Sequence, residues 1–423
     1  MPKQEFQNTQ QTERAVLVFV NPNKADDEYV EEELRELART AELEVVADFR
    51  QRRPRPEQKT FLGKGMTQDL FAHLNEIKAD VVIVDAGLSP VQGRNLEKIL
   101  QTKVIDRPQL ILDIFAQRAH SKEGYLQVEL AQLSYLLPRL TTLYTQFERQ
   151  QGGIGVRGPG ETKLESDRQV VKKRISSLAK DIEELRRQRQ HQRDSRRRYP
   201  FPFGTIVGYT SAGKSTLLNT LSGSEIFTDK KLFATLDPTT RRVVLTDGYS
   251  IFLTDTVGFI RNLPAGLVAA FKATLEEVSE ADFLVHVVDV SNPKWELQHD
   301  VVLETLDALG AGNTPILTVF NKCDLVHDQY PLRELVSQHP NSVYISAKHA
   351  QGIPYLMDVL TKIVQNLLNS TTALVPYSSS DLVSDCYEYG KVISVDYRED
   401  GILIEAEVVG EMAARLKPYV VEK

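Results

Sequence analysis

The feature that most restricts this chain is the octapeptide Gly208-Tyr209-Thr210-Ser211-Ala212-Gly213-Lys214-Ser215. It directly follows a short β-branched run, Thr205 to Val207, and opens an apolar helical segment carrying Leu217, Leu218 and Leu221. A strand, a glycine-bearing loop and a helix in that order turn backbone N–H groups inward onto phosphates at a helix amino terminus. In such a loop Lys214 reaches the outer phosphates, and the Ser215 hydroxyl, followed by Thr216, is placed for Mg²⁺. A glycine turn with a solvated lysine would need neither flanking element. The loop therefore demands a parallel α/β sheet behind it.

The flanking sequence supplies that sheet. Thr205 to Val207, Val243 to Thr246, Ile251 to Thr254, Phe283 to Val290, Ile316 to Phe320 and Val343 to Ile345 alternate with helical segments, which predicts a six-stranded nucleotide-binding domain. Leu253-Thr254-Asp255-Thr256-Val257-Gly258 ends one strand on an acid suited to hold Mg²⁺ through water, and Gly258 can offer its N–H to a γ-phosphate where a side chain would obstruct. Asn321-Lys322-Cys323-Asp324 follows another strand. Asp324 can accept hydrogen bonds from guanine N1–H and N2–H₂, whereas adenine would leave the carboxylate unpaired. Ser346-Ala347-Lys348, after the next strand, fits a loop that braces the base. Together these segments predict a Mg²⁺-dependent GTPase binding GTP and GDP.

Elsewhere the pattern changes. From Ala15 to about Gln117, runs at Val16 to Val20, Glu44 to Ala47, Val81 to Val84 and Lys103 to Ile105 alternate with helical stretches such as Glu31 to Leu43, which implies a small parallel α/β domain. Leu126, Leu130, Leu133, Leu137, Leu140, Tyr144 and Phe147 then follow 4,3 spacing, as do Leu164, Val171, Ile175, Leu178, Ile182 and Leu185 with one position skipped. Gly152-Gly-Ile-Gly-Val-Arg-Gly-Pro-Gly160 between them suits the tip of an antiparallel helical hairpin, with Pro138 expected to kink the first arm and the second running from about Thr162 to Arg198. A linker near Ser370 to Pro376 introduces a tail with paired strands at Val392 to Tyr397 and Ile402 to Val409. The expected units are an α/β domain over 1–122, the hairpin over 123–199, the nucleotide-binding domain over 200–370 and an α+β module over 371–423.

Composition excludes several classes. The two cysteines, Cys323 and Cys386, cannot build a disulfide framework. No apolar run reaches the 18 or so residues of a membrane helix, and the amino terminus lacks a signal-like apolar core, so a cytoplasmic protein without integral membrane association is expected, peripheral attachment staying open; a monomer is the expected state. A net charge of −7 argues against nucleic acid wrapping the whole surface. One local patch differs: seven arginines (Arg186, Arg187, Arg189, Arg193, Arg196, Arg197 and Arg198) lie within 13 residues beside the single acid Asp194. That density suits RNA phosphates, and the alternative is a solvated helix face.

Phe233-Ala234-Thr235-Leu236-Asp237-Pro-Thr-Thr-Arg241 resembles the first switch of the HflX family of GTPases. Phe61-Leu-Gly-Lys-Gly65, Leu88-Ser-Pro-Val-Gln-Gly-Arg-Asn-Leu96, Val104-Ile-Asp-Arg107, Ile114-Phe-Ala-Gln-Arg118, Glu123-Gly-Tyr-Leu-Gln-Val-Glu-Leu-Ala-Gln132 and the Gly152 to Thr162 stretch are similar to that family's amino-terminal signature. The resemblance implies that Thr235 joins Ser215 in the Mg²⁺ shell and that Lys214, Thr235 and Gly258 serve hydrolysis. It also implies association with the large (50S) ribosomal subunit and its rRNA, in splitting or rescuing stalled ribosomes under stress, or in subunit biogenesis.

Two departures stand out. Phe259 occupies the position where small regulatory GTPases carry the glutamine that orients water, so either the missing group comes from elsewhere or Phe259 is an exposed switch residue without catalytic meaning. Ser211 replaces the family's usual asparagine, which leaves a monovalent-cation requirement open. Two other functions compete: a signalling switch acting on a protein, and ATP-driven RNA remodelling by the first domain, whose Phe61-Leu-Gly-Lys-Gly65 forms no full phosphate loop.

Overall fold

The computed structural model describes residues 12–21, 27–144, 159–196, 201–223, 232–261, 277–326, 330–408 and 410–421. Two compact units divide near residue 182.

In the first unit, β1 (Arg14–Asn21), β2 (Glu44–Arg52), β3 (Val81–Val84) and β4 (Lys103–Asp106) form a wholly parallel sheet in the order β2-β1-β3-β4. The apolar runs explain this placement, since β3 is buried at every position, as a strand covered on both faces must be. Its helices are α1 (Asp27–Thr40), α2 (Lys64–Ile77), α3 (Pro90–Leu100) and α4 (Arg107–Arg118). The first of these stops before the expected Leu43 because the chain turns over at Glu42, whose φ is 62°. Ser89 and Gln92 close a capping box on α3, with Pro90 as its first residue, and Asp106 caps α4. Gly63, inside the glycine pair considered as a second nucleotide loop, instead starts α2. Its N–H donates to Gln51 Oε1 at 2.9 Å, and a Cβ there would lie 2.6 Å from Arg53 Nη1.

The hairpin arms are α5 (Lys122–Tyr144), which contains Pro138, and α6 (Pro159–Arg196). At 38 residues, α6 extends roughly 57 Å at 1.5 Å per residue. Arg174 grips Glu129 through two hydrogen bonds of 2.7 Å, so the arms lie side by side. Val171, Ile175, Leu178, Ile182 and Leu185 are the more covered positions along α6. The helix begins three residues before Thr162 and takes in Pro159 and Gly160, which had been assigned to the tip. Proline fits a first helical turn, where its missing N–H has no intrahelical partner to lose. The rest of the tip, 152–158, and Arg197 and Arg198 lie outside the described residues.

The second unit holds β5 (Phe203–Gly208), β6 (Thr239–Val244), β7 (Ser250–Asp255), β8 (Phe283–Asp289), β9 (Ile316–Asn321) and β10 (Ser342–Tyr344), ordered β10-β9-β8-β5-β7-β6 with only β6 antiparallel. Ile206, Leu217, Leu253, Val285, Val287 and Leu317 fill its core. The edge strand β6 starts four residues earlier than expected. Thr239 to Arg242 are at least partly exposed there, so they carry no apolar alternation to read. Helices beside this sheet among the described residues include α7 (Lys214–Ser222), α8 (Trp295–Ala308), α9 (Tyr330–Gln338) and α10 (Ile353–Leu367).

The segment expected as a linker is a strand. Asn369–Val375 (β11) pairs antiparallel with β13 (Gly401–Val408), which pairs on its other side with β12 (Lys391–Arg398). Ala373 and Val375 enter a core closed by Val383, Cys386, Met412 and Leu416. The Tyr249 hydroxyl, in the turn between β6 and β7, donates to Glu407 of β13 at 2.7 Å. Among the described residues, no helix is long and apolar enough to cross a membrane.

Candidate nucleotide-binding site

Five strands deliver the site residues at one edge of the second unit's sheet: Gly208 ends β5, Asp255 ends β7, Asp289 ends β8, Asn321 ends β9, and Ser346 follows β10. This is the carboxyl end of the parallel strands, where open α/β sheets take their ligands.

The phosphate loop closes tightly. A Cβ on Gly208 (φ 152°) would sit 2.3 Å from the Val287 carbonyl oxygen, and one on Gly213 (φ 99°) would sit 2.3 Å from Asn321 Nδ2, so both positions require glycine. Lys214 folds beneath the loop and donates to the carbonyls of Gly208 at 3.1 Å and Tyr209 at 2.9 Å. Burial pushes its ammonium down to about 8. Thr210 and Ala212 are buried, Ser211 is exposed with φ 60°, and Thr216 is half-buried.

Three side-chain oxygens converge beside this lysine. Ser215 Oγ donates to Asp255 Oδ2 at 2.6 Å, Thr235 Oγ1 donates to the same atom at 2.9 Å, and the two hydroxyls stand 2.8 Å apart. Phe233 and Leu236 are buried on either side of Ala234 and Thr235 and anchor the segment that brings the threonine in, while Asp237 is partly exposed. Burial raises the Asp255 carboxyl despite the lysine nearby. Its Oδ1 is buried without a hydrogen-bond partner. A buried carboxylate oxygen short of a partner, flanked by two hydroxyls, is a donor set suited to a hard divalent cation.

The second switch lies against the phosphate loop. Thr256 Oγ1 donates to the Ile206 carbonyl at 2.8 Å, and Val257 is buried. A Cβ on Gly258 would meet Thr210 Cα at 2.8 Å and Lys214 Nζ at 2.9 Å, so only glycine fits so close to the lysine. Phe259 is not an exposed switch residue: it is buried, its N–H donates to the Gly208 carbonyl at 3.0 Å, and its carbonyl accepts from Thr210 N at 2.9 Å.

In the base loops the residues separate in role. Asn321 is buried, and its Nδ2 donates to the Ala212 carbonyl at 2.8 Å while its Oδ1 accepts from Ala347 N at 3.0 Å. Its amide thus joins the phosphate loop to the base loop. Lys322 pairs with Asp289 at 2.6 Å, and Cys323 is buried, its backbone N–H donating to the Ile345 carbonyl at 3.1 Å. Asp324 faces outward. A hydrogen bond from Ser346, with lesser help from His349 and Lys348, holds its carboxyl below the usual range. Ser346 and Ala347 are buried, and Lys348 is exposed. Sequence reasoning missed two residues here: His349, 3.6 Å from Asp324, and Thr220 of α7, which donates to the Ala347 carbonyl at 2.9 Å. Neither carries a local signal.

Asp324 follows Asn321, which is tied to the phosphate loop, and a carboxylate held below its usual range can accept from a purine with donors on its pairing edge. The class is a P-loop GTPase. Residues 28–116 match the family described as GTP-binding GTPase N-terminal, residues 118–196 the GTP-binding GTPase middle region, and residues 204–322 the 50S ribosome-binding GTPase. GTPase HflX of Caldanaerobacter subterraneus subsp. tengcongensis is 46% identical over 409 residues, covering 97% of this chain and 94% of its own. GTPase HflX of Escherichia coli K12 is 41% identical over 390 residues, with 92% of each chain covered. A GTP-binding protein from Sulfolobus solfataricus, solved in complex with GDP, is 26% identical, covers 84% of this chain and 99% of its own, and has a TM-score of 0.46. The chain belongs to the HflX family of GTPases.

Proposed function

We propose that this GTPase is a cytoplasmic, monomeric factor of the large ribosomal subunit. It engages the subunit and its rRNA in the GTP state, leaves on hydrolysis, and acts in splitting or rescuing ribosomes under stress or in their biogenesis. The observation that carries the reading is the match of residues 204–322 to the 50S ribosome-binding GTPase family. It is supported by the basic end of α6, where Arg186 and Arg187 are exposed and pair with Glu183 along the helix.

In this reading the phosphate-loop N–H groups and Lys214 hold the β- and γ-phosphates, and Gly258 donates its N–H to the γ-phosphate. Ser215 and Thr235 would hold Mg²⁺, with the Asp255 carboxylate beside them as a further oxygen donor. When bound, the ion offsets charge on the phosphate oxygens. Thr235 links that site to the first switch, so loss of the γ-phosphate frees the segment from Phe233 to Asp237. Asp324 reads guanine, while Asn321, Ser346 and Ala347 keep the base loop in place, flanked by Lys322 and Lys348. Phe259 cannot orient water, and the ribosomal partner supplies what hydrolysis lacks.

Cosedimentation with purified large subunits tests the partner. Binding should require a GTP analogue rather than GDP and weaken steeply between about 50 and 200 mM salt. Binding that ignores both nucleotide and salt would favour a protein-directed signalling switch.

A further inference from the structure

The second switch leaves β7 and runs beside the phosphate loop as far as Arg261, held by a ladder of four hydrogen bonds. Thr256 Oγ1 donates to the Ile206 carbonyl at 2.8 Å, Phe259 N to the Gly208 carbonyl at 3.0 Å, Thr210 N to the Phe259 carbonyl at 2.9 Å, and Arg261 N to the Tyr209 hydroxyl at 2.9 Å. Only the last uses a side chain of the phosphate loop itself. The Tyr209 ring is 4% exposed, so it is no platform for a nucleotide. A large side chain in a loop that must wrap phosphates has to point away from them. Here it points at the second switch and holds it at Arg261. Gly258, with room for no Cβ against Lys214 Nζ, sits inside the ladder between Thr256 and Phe259.

We propose that Tyr209 is a positioning residue for GTP hydrolysis. Its hydroxyl sets the register of residues 258–261 against the phosphate loop, and thereby the place of the Gly258 amide relative to Lys214. The proposal rests on the reading of Gly258 as the γ-phosphate donor. A donor aimed at charge that develops during phosphoryl transfer is effective only when held in place beforehand. Loosening the ladder at Arg261 therefore weakens the contact in the transition state. GDP has no γ-phosphate and does not sense it. The lysine, the Ser215–Asp255 pair and Asp324 are untouched by loss of one phenol oxygen.

The test is Tyr209→Phe, which keeps the buried ring, compared with Gly258→Ala in the full-length protein. Loss of one neutral hydrogen bond should slow single-turnover hydrolysis about threefold to tenfold, leaving GDP affinity within about twofold and lowering the melting temperature by only about 2–4 °C. Gly258→Ala should nearly abolish hydrolysis while retaining GDP. If Gly258→Ala hydrolyses like the parent, the reading of Gly258 fails, and Tyr209 loses its role with it. If Gly258→Ala is inactive and Tyr209→Phe hydrolyses at the parental rate, the Tyr209 proposal alone is overturned. Equal weakening of GDP and GTP with an unchanged rate also overturns it, because Tyr209 would then only shape the loop.

Discussion

Replacing Asn321 with alanine removes the side chain whose amide spans the phosphate loop and the guanine loop. Asn321 is 3% exposed, and its two hydrogen bonds, 2.8 Å to the Ala212 carbonyl and 3.0 Å from Ala347 N, end on backbone groups. Truncation strands a buried carbonyl and a buried N–H, each costing about 1–3 kcal/mol, or about 2–6 kcal/mol together. The nucleotide-bound protein needs both loops in place and bears the whole cost. The free protein can let the loops part and escape some of it, and that share reappears as weaker binding at tenfold per about 1.4 kcal/mol. The quantity to measure is the sum of two losses, unfolding free energy in urea without nucleotide and GDP binding free energy by calorimetry. A summed loss of at least about 2 kcal/mol is expected from the two stranded groups. A sum below about 0.5 kcal/mol would refute the brace, since that is what a surface substitution costs.

Asp324→Asn should turn an acceptor toward guanine into a donor, weakening GTP and improving xanthosine triphosphate; competition binding measures this, and an unchanged preference would place base reading elsewhere. Burial, with His299 and Lys214 nearby, lowers His286 to about 3 from 6.5, so the unfolded chain gains a proton that the fold refuses. That stability is present above pH 6.5 and lost as pH falls toward 3, amounting to about 2 kcal/mol at pH 5. His286→Leu should therefore lose about 2 kcal/mol less than the parent between pH 7 and pH 5 in urea titrations, and parallel losses would contradict it. Tyr249→Phe removes the donor to Glu407 and should cost about 1 kcal/mol in unfolding free energy. A value indistinguishable from zero would mean that the contact contributes nothing.

The sequence exposed the fold class wherever apolar runs were continuous, as at Val81–Val84 and Phe283–Asp289, because a strand buried on both faces leaves little else to read. It failed where burial is one-sided or polar. Asn369–Val375 looked like a linker through its Asn, Ser and Thr residues, yet only Ala373 and Val375 had to be buried for the strand to form. Pro159 belongs by sequence to the stretch suited to the hairpin tip, yet it starts a helix. In the site, residue types and spacing identified the phosphate loop and Asp255. The brace at Asn321 joins positions 109 and 26 residues away, and no local pattern carries that. The burial of Phe259 likewise follows from pairing with Gly208 and Thr210, not from its neighbours in the chain.

Single-turnover GTP hydrolysis with and without purified large ribosomal subunits tests the central claim most directly. Because Phe259 is buried and cannot orient water, the isolated protein should turn over at roughly 10⁻² s⁻¹ or below, rising at least about tenfold with subunits. A rate that large subunits leave unchanged would contradict a factor that completes its active site on the ribosome.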